Sequence, residues 1–195
     1  MKISVIIPTY QPQIYLEECL DSLRNQTLST DNFEILLVLN GCCEPYQSQI
    51  KNYLSRYDMG NVCFFQTDVP GVSNARNIAL DNARGKYITF IDDDDIISGN
   101  YLLSLLEDSD EEVLVVSDEK VFVDSIFQCS NDYISEAFHR FKSHDRNSIY
   151  LKRSFLSSSC CKIIPKTMIG NFRFNTRFKI CLLYTSPSPR DRQKS

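Results

Sequence analysis

No apolar run in this sequence approaches the roughly 20 residues of a membrane-spanning helix. The apolar start Ile3–Ile7 stops at Pro8, too short for a signal-peptide core, and no small-residue cleavage site follows. A cytosolic setting is expected, with peripheral attachment at the inner face of a membrane left open. An excess of basic residues is also missing. The formal net charge of -4 argues against a nucleic-acid partner, which usually leaves a basic surface. It does not argue against a small anionic ligand, because a cation can reverse the local sign. Histidine is scarce: His139 and His144 lie in a polar segment, and none of the eight cysteines forms a C-x-x-C, so a zinc site is not expected. Cys42-Cys43 and Cys160-Cys161 are adjacent pairs, and Cys19 and Cys63 sit inside apolar patterns, which fits reduced thiols better than a disulfide framework. No internal repeat is present.

What is present is an ordinary globular composition, 43% hydrophobic and 24% charged over 195 residues, enough for one domain with a sizeable core. The first half alternates strand and helix signals. Lys2–Ile7 reads as a strand buried on both faces. Leu16, Cys19, Leu20 and Leu23 follow the spacing of an amphipathic helix. Phe33–Leu39 is a second buried strand, stopped at Asn40-Gly41. Ile50, Tyr53, Leu54 and Tyr57 mark a second helix, and Val62–Gln66 a third strand. Val72, Ala75, Ala79 and Ala83 place a third helix, with Gly85 at the position of a C-terminal cap. Lys86–Ile91 is a fourth strand. Ser98 is the expected N-cap of a helix carrying Tyr101, Leu102, Leu105 and Leu106, and Val113–Ser117 a fifth strand. Strands separated by such helices imply βαβ units, right-handed crossovers and a mostly parallel sheet, the α/β class. Ligands then bind at the carboxyl ends of the strands. Three polar turns fall there: Thr9-Tyr10-Gln11, Asn40-Gly41-Cys42 and Asp92–Asp95.

The second half is less regular. Val121–Phe127 and Ser159–Ile164 read as strands, and Asp132–Lys142 as a helix with Ile134, Ala137, Phe138 and Phe141 on one face. The stretch Cys181–Ser195, with Pro187, Pro189 and a run of Ser, Arg and Lys, has nothing to bury. Its segment Leu182–Asp191 resembles a translated sequencing adapter. The expected organisation is therefore a domain over 1–180, incomplete at its C-terminal end, and an artefactual tail over 181–195.

The acidic run Asp92-Asp93-Asp94-Asp95 is the most charged feature. Two carboxylates about 4 Å apart repel by on the order of 4 kcal/mol at an effective dielectric near 20. The run must be solvated, partly protonated or neutralised by a cation. It follows the buried Tyr87–Ile91, so full exposure is not expected of its first carboxylate. In extended backbone Asp92 and Asp94 point the same way. Two carboxylates on one side suit Mg²⁺ or Mn²⁺. A solvated turn that caps the next helix through Asp95 or Ser98 is the alternative for the run alone. A calcium loop of the EF-hand type fails, because it would need a ligand at Ile96 and glycine at Ile97.

Three segments stand together in order: Ser4-Val5-Ile6-Ile7-Pro8-Thr9-Tyr10, Gly71-Val72-Ser73-Asn74-Ala75-Arg76-Asn77-Ile78-Ala79, and Gly85-Lys86-Tyr87-Ile88-Thr89-Phe90-Ile91 leading into Asp92–Asp95. Jointly they resemble the family 2 glycosyltransferases of GT-A fold, over roughly residues 1–180. The resemblance implies a Rossmann-like three-layer α/β/α sandwich and an inverting, metal-dependent transfer of sugar. The donor would be a nucleotide-diphosphate sugar, and the acceptor a saccharide or a lipid-linked one, in polysaccharide biosynthesis. It implies that Asp94 chiefly ligates Mg²⁺ or Mn²⁺, that Asp92 meets the ribose or the metal, and that Asp93 lies in the donor site with them. Pro8, Thr9 and Tyr10 would lie against the nucleotide, and Arg76 beside it. For Arg76 an exposed helix charge is the plainer reading, and Asn77 is read as structural.

Two departures stand out. The family usually carries an acid that reads the base after the second strand, and here Leu39-Asn40-Gly41-Cys42 leaves Asn40 to meet the base edge. The family's general base follows a segment like Asn171–Phe178, as an acidic pair that would fall at about 182–183. Leu182 and Leu183 are there, so no catalytic base is assigned. A base of that kind contributes typically 10²- to 10⁴-fold. A sugar-nucleotide-forming nucleotidyltransferase would want a glycine-rich loop and a lysine where Pro8–Pro12 stands. A non-catalytic module that holds a nucleotide-sugar or a metal remains the alternative for the chain as given.

Overall fold

A computed structural model of the protein describes residues 1–122, 129–143, 154 and 158–177. The end of the strand expected at Val121–Phe127, together with Leu182, Leu183 and the stretch Cys181–Ser195, lies outside the described residues.

In chain order the elements are β1 (Ile3–Thr9), α1 (Ile14–Arg24), β2 (Phe33–Asn40), α2 (Tyr46–Arg56), β3 (Val62–Thr67), α3 (Val72–Asn82) and β4 (Tyr87–Phe90). They continue with α4 (Tyr101–Glu107), β5 (Val115–Val116), β6 (Val121–Phe122), β7 (Cys129–Ser130), α5 (Tyr133–Ser143), β8 (Lys162–Pro165) and α6 (Lys166–Ile169). The chain divides into two units, Met1–Val115 with Lys162–Cys181, and Val116–Cys161 with the remaining C-terminal residues.

The first unit is built on a sheet of order β3-β2-β1-β4-β8-β5. β1 pairs in parallel with β2 and β4, and β2 in parallel with β3. β8 runs antiparallel to β4, with Tyr87 opposite Pro165. Every residue of β1 and β2 is buried, as their unbroken apolar runs require. The two faces have different partners. Ile3, Val5, Ile7, Ile35, Leu37 and Leu39 form one core with Leu16, Cys19, Leu20 and Leu23 of α1, Ile50 and Tyr53 of α2, and Leu102 and Leu105 of α4. The other face meets α3, whose buried Ala75 and Ala79 let the helix lie close to β1 and β2. Truncating a fully enclosed Leu20 or Leu37 to Ala removes about 2–5 kcal/mol.

Several local expectations are corrected. Ser98 does not cap α4. The N-cap is Asn100, and Gln26 reaches across from the end of α1: its Oε1 accepts from the Leu102 amide at 3.0 Å, and its Nε2 donates to the Ser98 carbonyl at 2.7 Å. The helix start is thus satisfied by a residue far away in sequence. Gly85 is not the C-cap of α3, which is Ala83. A Cβ on Gly85 would meet the Ser4 backbone nitrogen at 2.4 Å and the Ile3 carbonyl carbon at 2.6 Å, so glycine is required by the closeness of β1. The fifth strand shrinks to Val115–Val116, with Val113 in an isolated bridge to Asp110. The strand expected at Ser159–Ile164 is Lys162–Pro165.

The second unit carries the antiparallel pair β6–β7 and α5. Asp132 caps α5, its Oδ1 accepting from the amides of Ile134 and Ser135, both at 2.9 Å. Asp118 accepts from the Ser135 hydroxyl at 2.7 Å and lies 2.9 Å from His139 Nε2. Among the described residues no helix is long and apolar enough to cross a membrane.

Candidate functional site

β1, β2 and β4 end side by side, and their carboxyl ends bring Thr9, Asn40 and Asp92–Asp95 together. The acidic run is not extended. The Asp95 amide donates to the Asp92 carbonyl at 3.1 Å, closing a turn directly after the Ile91 amide bonds the Ile6 carbonyl at 3.0 Å. The period-2 argument for Asp92 and Asp94 therefore does not apply. As expected, the first carboxylate is not fully exposed. The Asp92 side chain is 47% exposed, whereas Asp93 turns inward and accepts from the Thr9 hydroxyl at 2.5 Å. Burial pushes the Asp93 carboxyl up to about 6; Asp94 and Asp92 add to the shift and the Thr9 hydrogen bond opposes it. Asp94 is half-buried and Asp95 exposed.

Beneath the turn, the Cys19 thiol donates to the Asp92 carbonyl at 3.7 Å. Burial, and then the carboxylates of the run, hold this thiol well above its ordinary value, so it stays protonated. Cys19 was read as core from its helical spacing; its place under the acidic turn had no signal in the sequence.

Arg76 is the cation of the site. It is 4% exposed rather than a solvated helix charge, and its Nη2 donates to Asp92 Oδ1 at 2.9 Å. The guanidinium lies against an edge-to-face pair of rings, Phe90 and Phe174, at 5.7 and 5.5 Å from their centroids. Its buried Nε has no hydrogen-bond partner among the described residues. Asn77, next on the helix, is structural as read: its Nδ2 donates to the Phe174 carbonyl at 2.9 Å and its Oδ1 accepts from the Phe174 amide at 2.8 Å.

Tyr10 is 53% exposed and lies over Gly41, where a Cβ would come within 2.7 Å of the ring. Gly41 has φ +91, so glycine is favoured there on both counts. Two expected contact residues lie inside the fold. Pro8 is buried within β1, paired with Val38. Asn40 is 3% exposed and its amide is used internally: Nδ2 donates to the Thr9 carbonyl at 2.7 Å and Oδ1 accepts from the Gly71 amide at 2.8 Å. It ties the ends of β1 and β2 to the loop before α3. The position expected for a general base, Leu182-Leu183, lies outside the described residues.

The chemistry at hand is that of a buried guanidinium paired with Asp92, beside an Asp93 carboxyl that is raised toward neutrality. The carboxylate oxygens of the run are hard donors of the kind that Mg²⁺ and Mn²⁺ take.

A mostly parallel sheet with an acidic, arginine-backed turn at its carboxyl edge defines an α/β protein with that turn where such sheets bind ligands. A family model described as glycosyl transferase family 2 matches residues 4–169. The chain belongs to the family 2 glycosyltransferases, and its fold is GT-A. It is 29% identical over 178 residues to the minor teichoic acid biosynthesis protein GgaB of Bacillus subtilis (strain 168), covering 91% of this chain and 19% of GgaB. It is 27% identical to the GalNAc(5)-diNAcBac-PP-undecaprenol beta-1,3-glucosyltransferase of Campylobacter jejuni subsp. jejuni serotype O:2 (strain ATCC 700819 / NCTC 11168), covering 91% of this chain and 56% of that protein. The crystal structure of S. aureus TarS aligns with a TM-score of 0.69 at 26% identity, covering 92% of this chain and 31% of that one. TarS 1–349 in complex with UDP aligns at 0.71, with 24% identity, covering 92% of this chain and 52% of that one. The chain thus spans less than two thirds of each of these proteins.

Proposed function

We propose that the site binds a nucleoside-diphosphate sugar together with Mg²⁺ or Mn²⁺, and that the domain transfers the sugar, with inversion, to a saccharide or lipid-linked acceptor in polysaccharide biosynthesis. The observation that carries this reading is the acidic turn Asp92–Asp95 at the end of β4, with the buried Arg76 paired to Asp92. Asp94 and Asp92 would hold the metal. When bound, it supplies Lewis acidity that offsets charge on the departing diphosphate. Arg76 orients Asp92, Thr9 fixes Asp93, and the exposed Tyr10 offers a ring face to the nucleotide. The names of relatives support these acceptor classes: GgaB is a minor teichoic acid biosynthesis protein, and the Campylobacter enzyme is named for an undecaprenol-linked saccharide. A lipid-linked acceptor would put the protein at the inner face of a membrane. The domain limit near residue 180 belongs to the same proposal.

A second reading is favoured by one observation. Leucine cannot take a proton from an acceptor hydroxyl, and Leu182-Leu183 stand where the resemblance calls for acids. On that reading the chain holds the donor and transfers it slowly or not at all.

The two are separated by incubating the chain with UDP-sugars, Mn²⁺ and oligosaccharide acceptors. The first reading expects release of UDP and an inverted glycoside, both lost in Asp94→Ala. The second expects donor binding without release. Neither binding nor release with any nucleoside-diphosphate sugar would sink both.

A further inference from the structure

Residues 171–177 follow α6 without regular secondary structure, yet they are tied to α3 at two points. The Asn77 side chain makes both hydrogen bonds to the Phe174 backbone, as a neighbouring strand would. One helical turn on, Asp81 Oδ1 accepts from Arg173 Nε and Nη2 at 2.8 and 2.6 Å. Asn77 and Asp81 are four residues apart and so share a helix face. The Arg173–Asp81 pair is exposed and worth little. The Asn77 clasp is the stronger tie. Its effect is local: Phe174 is the one residue of 171–177 that is not exposed. Its ring meets Phe90 edge-on at 5.6 Å and lies 5.5 Å from the Arg76 guanidinium.

This explains how Arg76 stays buried. One hydrogen bond, to Asp92, does not compensate a guanidinium removed from water, and Nε has no partner among the described residues. The Phe90–Phe174 ring pair supplies further attraction on one side of the group, and Asp92 accepts its hydrogen bond.

We infer that Phe174, fixed by Asn77, is a positioning residue for Arg76, so that the segment 171–177 is a structural part of the donor site. The inference rests on the donor-site reading for its functional consequence and on geometry for the contact. The segment that precedes the expected base position and the arginine that orients Asp92 are held by one clasp. A disturbance of either reaches the other.

The test uses the full chain with Phe174→Leu, Phe174→Tyr and Asn77→Ala, and two readouts. The first is the NMR signal of the Arg76 Nε–H, which two nearby rings displace and burial protects from water exchange. In Phe174→Leu and Asn77→Ala it shifts and exchanges faster, while Phe174→Tyr keeps the wild-type signal. The second is affinity for UDP with Mn²⁺. It falls about three- to tenfold in Phe174→Leu and Asn77→Ala and is retained in Phe174→Tyr. A purely structural role would not be rescued by the aromatic variant alone. An unmoved Nε–H signal in Phe174→Leu overturns the inference. So does unchanged UDP affinity in Phe174→Leu where Arg76→Lys loses it. If the wild-type chain binds no UDP with Mn²⁺, the donor-site reading fails, while the Nε–H signal still decides whether Phe174 holds Arg76.

Discussion

The two ends of the central sheet handle buried charge in opposite ways. At the amino end, Glu34 is fully buried yet fully served. Its Oε1 accepts from the Ser4 hydroxyl and the Arg84 amide, both at 2.7 Å, and its Oε2 from Arg84 Nε at 2.8 Å. The Ser4 hydroxyl in turn accepts from the Gly85 amide at 2.8 Å. Burial alone would raise the Glu34 carboxyl, but the hydrogen bonds from Ser4 and Arg84 outweigh it and hold it below its ordinary value. At the carboxyl end, Arg76 is paired with Asp92, Asp93 is raised to about 6, and the arginine itself keeps an unpartnered Nε among the described residues. The first end is a closed network that sets the register of β1, β2 and β4. The second holds a raised carboxyl and an unsatisfied buried donor, the kind of perturbation that clusters at functional sites.

The comparison breaks most sharply at Gly85. Gly85→Ala drives a methyl group into the β1 backbone, which is not a flexible side chain that can move aside. A loss of about 4 kcal/mol, or failure to fold, is expected in urea denaturation. Glu34→Gln should cost about 2–4 kcal/mol, because the amide keeps acceptor capacity on one oxygen only and leaves Arg84 without its charge partner. The smallest of the three effects has the opposite sign. Asp93→Asn should stabilise the ligand-free protein above pH 6 by about 2–3 kcal/mol, since one pKa unit corresponds to about 1.4 kcal/mol.

Stability measured against pH sharpens the contrast. Glu34, lowered in the fold, stabilises above its unfolded pKa, and that contribution is lost as pH falls through the folded value. Asp93, raised in the fold, acts the other way: the protein loses stability as pH rises from the unfolded value near 4 to about 6. Glu34→Gln should flatten the acid limb, and Asp93→Asn the decline between about pH 4 and 6. Interchanged effects of the two variants would contradict the opposition of the two ends.

How much of this was legible follows from what each residue depends on. β1 and β2 read clearly because strands covered on both faces leave unbroken apolar runs, and α1 because its buried stripe repeats with the helix period. The acidic run and Arg76 were singled out through the joint motifs. The carboxylate depths were not legible, because alternation holds for extended backbone and the run is a turn. Gly85 was singled out for the wrong cause, since nothing in local sequence reveals that β1 passes 2.4 Å from a missing Cβ. Gln26 capping α4, Asn40 tying the strand ends to the loop before α3 and Glu34 under the sheet all depend on partners more than 30 residues away or on inward rotation of a polar group. A polar residue at a strand end looks the same in sequence whether it faces a ligand or a neighbouring loop.

The reading of the carboxyl end as a donor site is tested most directly by calorimetric titration of UDP into the chain with Mn²⁺ and, separately, with EDTA. Binding in Mn²⁺, its loss in EDTA and its loss in Asp94→Ala are the predicted results. Binding that is indifferent to the metal and to Asp94, or no binding at all, would contradict the assignment of the acidic turn as a metal-dependent donor site.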